Sequence, residues 1–145
     1  MSKSDTFEAD ILKLIFNGTA IANIADNAAS SPLTNLYVAL HSGDPGETGT
    51  QTTNEVAYTS YARVAVARNS GGWTVSGTAP TQVAPAATIS FPACTGGSAT
   101  ATHASVGVAS SGSSKILYSG ALTPNSAISS GVTPQLTTSS IITED

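Results

Sequence analysis

The sequence predicts a mainly β chain: an antiparallel β-sandwich or jelly-roll-like domain with one N-terminal α-helix. Three observations lead there. Apolar residues recur at helical spacing near the N-terminus, over about residues 6–17. From Asn35 the period changes to two, and turn residues then cut the chain into short alternating runs up to about residue 140. No helical pattern separates those runs, so parallel crossovers are not expected. At 145 residues the chain fits a single domain, 1–145. A domain of that length buries roughly 68–70% of the surface its unfolded chain exposes, so neither a metal nor a disulfide is required.

In the helix, Asp5 and Glu8 have capping-box spacing, and Asp10 also suits the positive end of the dipole. Phe7, Ile11, Leu14 and Ile15 form an apolar stripe, and Asn17-Gly18 makes a fitting stop. Leu12 and Phe16 widen the stripe beyond what one core face requires, which points to a contact with a partner. Residues 19–31, rich in Ala and Asn, read equally as a short second helix or a loose connection.

Leu36, Val38 and Leu40 alternate with Tyr37, Ala39 and His41, the pattern of a half-buried strand. Asp44-Pro45-Gly46 is a turn, and Glu47 to Asn54 is polar without period. Tyr58 to Arg68 reads as a second strand, joined by an Asn69–Gly72 hairpin to Trp73-Thr74-Val75. Thr88 to Phe91 is a short strand ended by Pro92. Ala104–Ala109 and Lys115–Leu122 form a hairpin across Ser110–Ser114, and a last strand falls near Gln135–Thr138.

Charge excludes several functions. The net charge is −4, and the only fixed cations are Lys3, Lys13, Arg63, Arg68 and Lys115. Nucleic-acid binding needs clustered cations to neutralise phosphates, so none is expected, and a polybasic membrane patch is missing for the same reason. No apolar run approaches the ~18 residues of a membrane span. Asp5, Glu8 and Asp10 stand where a signal peptide would carry basic residues, so synthesis in the host cytoplasm is expected. The lone Cys94 agrees with a reducing compartment.

Reactive patterns are weak. Gly43 to Gly49 lacks the Lys-Ser/Thr of a phosphate loop and follows a strand without opening a helix. His41, Asp44 and Glu47, or Asp44 and Glu55 for calcium, suggest a metal only loosely; solvated turn carboxylates explain them better. No nucleophile elbow occurs, and the loop carboxylates are poorly suited to glycoside hydrolysis. Trp73 with Tyr58 and Tyr61 admits a sugar-stacking platform, against the plainer reading of Trp73 as a core or interface anchor. Cys94 has no neighbouring cation and reads as an inert small residue. Asn17-Gly18-Thr19 matches a glycosylation sequon, but its plainer role is the helix stop. No catalytic, cofactor-binding or metal-binding residue is therefore assigned, and no cofactor is expected.

The run Leu36-Tyr-Val-Ala-Leu-His-Ser-Gly-Asp-Pro-Gly-Glu-Thr-Gly-Thr-Gln-Thr-Thr-Asn-Glu55, continued by Tyr61-Ala-Arg-Val-Ala-Val66, resembles a family of small virion proteins of tailed bacteriophages. Ile11 to Gly18, Ile89 to Pro92, His103, Val106-Gly107-Val108, Leu117 to Thr123 and Ser130-Gly131 extend the likeness over roughly residues 8–137. The resemblance implies a non-enzymatic structural role. It suggests a capsid decoration (cement) protein at the virion surface that binds the major capsid protein and stabilises its shell. The family is also labelled tail-fibre-like, so the alternative is a tail-tip or tail-fibre component that binds the host surface. Expected contact residues are Phe7, Leu12, Ile15 and Phe16, for a homodimer or homotrimer. Glu47, Thr48 and Thr50 of the polar loop, Tyr61 and Arg63 of the strand face, and the first six residues are expected to meet the capsid.

Overall fold

The computed structural model describes residues 4–21, 25, 32–78 and 80–144. In chain order it has α1 (Asp5–Leu12), a π-helical turn (Lys13–Asn17), β1 (Asn35–His41), β2 (Val64–Ala67), β3 (Trp73–Ser76), β4 (Thr81–Pro85), β5 (Ile89–Ser90), β6 (Ser98–Gly107), β7 (Ile116–Ser129), β8 (Gln135–Leu136) and β9 (Ile142–Glu144). The fold is mainly β, with one N-terminal helix, and its β1–β6, β6–β7, β3–β4 and β4–β9 pairs are antiparallel. The chain forms two compact units: Met1–Asn35 with Val66–Thr88 and Leu136–Asp145, and Leu36–Ala65 with Ile89–Gln135.

In the first unit α1 packs on the sheet β3-β4-β9. The helix begins one residue earlier than the capping-box reading requires. Ser4 is the N-cap, and the Phe7 and Glu8 amides donate to its carbonyl at 2.9 and 3.0 Å. Glu8 is thus too far along to reach back to the cap, and instead lies buried. The inward line is Glu8, Leu12 and Phe16, spaced by four, with Leu12 and Phe16 both 0% exposed. This corrects the expectation that Leu12 and Phe16 are surplus apolar surface: they are the core face. Ile11, Leu14 and Ile15 are half-buried, and Phe7 is exposed.

The Phe16 ring meets Trp73 edge-on, centroids 4.8 Å apart at 63°, above Val83. The wider π turn ends at Gly18 in the left-handed conformation (φ 66°), as the stop signal predicts. The Leu14 and Ile15 carbonyls are taken by Arg68, whose Nη2 and Nε donate to them; a cation here also suits the helix C-terminus. Ile21 and Ala25 form an isolated bridge, and the other residues expected to be helix or connection largely fall outside the described ones.

β3 pairs with β4, Trp73 opposite Pro85 and Ser76 opposite Gln82, and β4 pairs with β9. The hairpin expected between the second strand and Trp73 is therefore corrected. Asn69–Gly72 does turn, Gly72 N donating to Asn69 O at 3.0 Å, but the strand leaving it pairs forward. Among the described residues, Trp73 Nε1, Thr81 Oγ1 and Asn17 Oδ1 are buried without a hydrogen-bond partner.

The second unit is built on β1, β6 and β7 of the sheet ordered β2-β1-β6-β7. β1 registers with β6 from Tyr37↔Gly107 to His41↔His103. Being central, β1 is buried at Val38, Ala39, Leu40 and His41 alike, so it is not the half-buried strand that its alternation predicts. The β6–β7 hairpin expected from the sequence is present and longer, running to Ser98↔Ser129 with a shift between Ala101 and His103. Of the run Tyr58–Arg68, only Val64–Ala67 is strand; Ser60 adopts φ 80° and breaks the extended pattern.

Candidate functional site

Two loops leave the sheet of the second unit, and a buried polar cluster ties them together. The first, Ser42–Asn54, closes on itself as an Ω-loop. Ser42 N donates to Asn54 O at 2.7 Å and Val56 N to Leu40 O at 3.0 Å. At its near end Asp44 Oδ1 accepts from Gly46 N at 2.9 Å, and Gly46 takes φ 69°, which is the turn that Asp-Pro-Gly predicts. Asn54, also left-handed at φ 54°, donates from Nδ2 to Asp44 O at 3.0 Å. The second loop, residues 108–115, joins β6 to β7.

Arg63 lies beneath both. Its Nε donates to Glu55 Oε1 at 2.7 Å and its Nη2 to Glu55 Oε2 at 2.8 Å, a two-pronged ion pair. The remaining donors reach the second loop: Nη1 to Ala109 O at 3.1 Å and Ser114 Oγ at 3.2 Å, Nη2 to Gly112 O at 2.8 Å. Glu55 holds the guanidinium in its charged form and pushes its pKa above the ordinary value.

Gln51, fully buried, completes the tie. It donates from Nε2 to Tyr37 O at 2.9 Å and accepts from Ser114 Oγ at 2.8 Å. Its backbone amide donates to Ser114 O at 3.0 Å, and Ser113 Oγ donates to Thr50 Oγ1 at 3.2 Å. Tyr61 OH donates to Glu55 Oε1 at 3.0 Å and accepts from Leu40 N at 3.1 Å; burial pushes this phenol up.

The sequence-predicted residues fall into three groups. Glu47 and Thr48 are exposed on the first loop and Thr50 is half-buried there. Tyr61 and Arg63 come together with Thr50 through Glu55, Gln51 and Ser114, but as supports. Arg63 is buried, which corrects its expected place on an outward strand face. Phe7, Leu12, Ile15 and Phe16 belong to the other unit, and the first three residues of the chain lie outside the described ones.

The sugar-stacking platform does not form. Trp73 is buried, and so is Tyr58, whose OH donates to Pro92 O at 2.8 Å. Cys94 is buried too, its thiol donating weakly to Gly96 O at 3.3 Å. Sequence reasoning missed Gln51, Ser114 and His41 as cluster members. The available signal was Arg63 itself, a lone cation in a chain only 10% charged, with Glu55 close upstream. Among the described residues no three His, Cys, Asp or Glu side chains gather as a metal set, and no helix is long and apolar enough to cross a membrane.

What remains at the surface is a hydroxyl-rich platform: Thr48, Thr50 and Thr52 on one loop, Ser110, Ser111 and Ser113 on the other. A β scaffold that fixes exposed loops from beneath defines a structural or recognition module. The chain belongs to the family described as Podophage GP4 fiber I protein gp80, whose model matches residues 2–144, and it is accordingly a phage structural protein. The resemblance to virion proteins of tailed phages stands at that level. Comparison with curated proteins finds no match.

Proposed function

We propose that the chain is a tail-fibre component of a podophage virion, that the Ser42–Asn54 and 108–115 loops form its host-facing surface, and that it works without catalysis. The observation that carries this reading is the Arg63 cluster. A buried ion pair and a buried glutamine spend their hydrogen bonds on loop backbone rather than on a ligand, so the hydroxyls above them are held in one arrangement before any partner arrives. Such preorganisation lowers the entropy lost on binding, roughly 0.5–1.5 kcal/mol for each side chain that need not be immobilised.

The family description supports a fibre at least as well as a capsid decoration protein, and it favours the host-contact reading over binding of the major capsid protein. Self-association as a dimer or trimer belongs to the same proposal; Phe7, Leu33 and Ile141 supply exposed apolar side chains for it.

Gold-labelled antibody on intact virions tests the location. Label at the tail supports the fibre reading, while label over the head at copy numbers near the major capsid protein returns the cement reading. Purified chain should also slow phage adsorption when added in excess.

A further inference from the structure

We propose that the second unit binds one terminal sugar of a neutral or amino-bearing host glycan, in the cleft between the Asp44–Glu47 turn and the middle of β7. The proposal rests on the host-contact reading above and names the ligand class. Asp44, Gly46 and Glu47 form one wall of the cleft; His103 of β6 and Ser119, Gly120 and Ala121 of β7 form the other, around a volume of about 250 Å³.

That volume falls just below the roughly 300–1,000 Å³ of sites for drug-sized ligands, so it suits a single ring better than an extended oligosaccharide. The charge is one-sided. Two carboxylates line the cleft and neither Lys nor Arg does. Carboxylate oxygens accept pairs of hydrogen bonds from vicinal hydroxyls, or pair with an ammonium, and they repel an anionic sugar. His103 Nδ1 is hydrogen-bonded to Thr102 Oγ1 at 2.9 Å, which leaves Nε2 as the ring's other polar atom.

Gly120 is the independent observation. It sits in regular register opposite Ala104, flanked by Ser105↔Ser119 and His103↔Ala121, away from the shift between Ala101 and His103. Its backbone is not left-handed, and a Cβ built on it would meet nothing within 4 Å. Neither conformation nor packing within the chain therefore calls for glycine, although glycine weakens a strand. A strand glycine of this kind marks a close approach by something else, and the open space above it is the cleft. Ser119 and Ala121 keep the rest of that floor low.

The test titrates the isotope-labelled full chain with the methyl glycosides of glucose, galactose, glucosamine and glucuronic acid, following backbone amides by NMR. It is run beside binding of the same protein to host cells, for wild type and Gly120→Leu. Neutral and amino glycosides should move the Ser119–Ala121 and Glu47 amides, with glucuronate at least ten-fold weaker. Gly120→Leu should keep its remaining amide spectrum and lose glycoside affinity at least ten-fold; Gly120→Ala, a smaller intrusion, should lose less.

Glucuronate binding as tightly as glucose overturns the proposal, as does a leucine variant that titrates like wild type. Shifts along β7 that follow protein concentration rather than sugar reveal a second copy at this edge and also overturn it. Cell binding that the leucine substitution leaves intact removes the cleft but not the host-contact reading. Glycoside binding with no cell binding by either protein keeps the cleft and removes that reading.

Discussion

Arg63 and Glu55 meet through two parallel hydrogen bonds, and the pair is almost withdrawn from water, its side chains 2% and 17% exposed. Removing one partner leaves the other buried and uncompensated, which costs about 3–5 kcal/mol. Arg63→Ala and Glu55→Ala should each lower unfolding free energy by that order in urea titrations. Arg63→Lys should recover little, because an ammonium cannot serve Glu55, Ala109, Gly112 and Ser114 from one planar fork. A loss under about 1 kcal/mol for either alanine variant would place this pair with ordinary surface ion pairs.

His41 predicts a pH dependence. Its Nδ1 lies 2.8 Å from Thr53 O, which can only accept, so Nδ1 carries the proton and Nε2 accepts from Ser105 Oγ at 2.8 Å. Burial lowers its pKa below the ordinary 6.5; the Thr53 bond and Glu55 act in the opposite sense but less. The unfolded chain therefore takes the proton first as pH falls. Stability is complete above about pH 6.5 and declines as pH drops through that value toward the folded pKa. Melting temperatures recorded from about pH 7.5 to 5 should fall for wild type and fall less for His41→Gln. Equal declines would assign the effect to another group.

Gly107 is held to glycine by Gln51. A Cβ at position 107 would stand 2.2 Å from Gln51 Cδ and 2.3 Å from its Oε1, in space the amide fills. Gly107→Ala should displace Gln51 from Tyr37 O and Ser114 Oγ and cost about 1–3 kcal/mol, the penalty for buried groups left unpaired. In a double-mutant cycle with Gln51→Ala the two losses should be far from additive. Additive losses would mean that the glycine matters for some other reason.

Thr81 offers the opposite sign. Its side chain is fully buried in β4 while Oγ1 has no hydrogen-bond partner among the described residues. Thr81→Val keeps the branched shape and removes the unpaired hydroxyl, so stability should rise by about 1 kcal/mol. Thermal or urea unfolding measures it, and a loss of similar size would reveal a partner for the hydroxyl.

The β6–β7 hairpin was legible because its strands are adjacent in sequence and share one turn. β4 and β9 were not, since Thr81 pairs with Glu144 and so distant a partner leaves no local pattern. The helix was legible in extent but not in face: Glu8 lies inward, on the line with Leu12 and Phe16, where charge implies outward. The same bias hid the candidate site. A lone arginine beside a strand of small residues reads as solvated surface, and only the fold reveals that Glu55, Gln51 and two loop carbonyls surround it.

The placement of the two arginines has a bearing on digestion. Trypsin cuts after basic side chains that enter its specificity pocket in an extended, accessible segment. Arg63 is sealed under the loops and Arg68 is fastened to the carbonyls of Leu14 and Ile15. Between Arg68 and Lys115 no basic residue occurs at all. The folded chain thus offers trypsin little beyond its lysines, and most of its sheet contains no cleavage point even when locally opened. A particle component built this way would persist where such proteases are abundant, because its cations are committed to holding the fold.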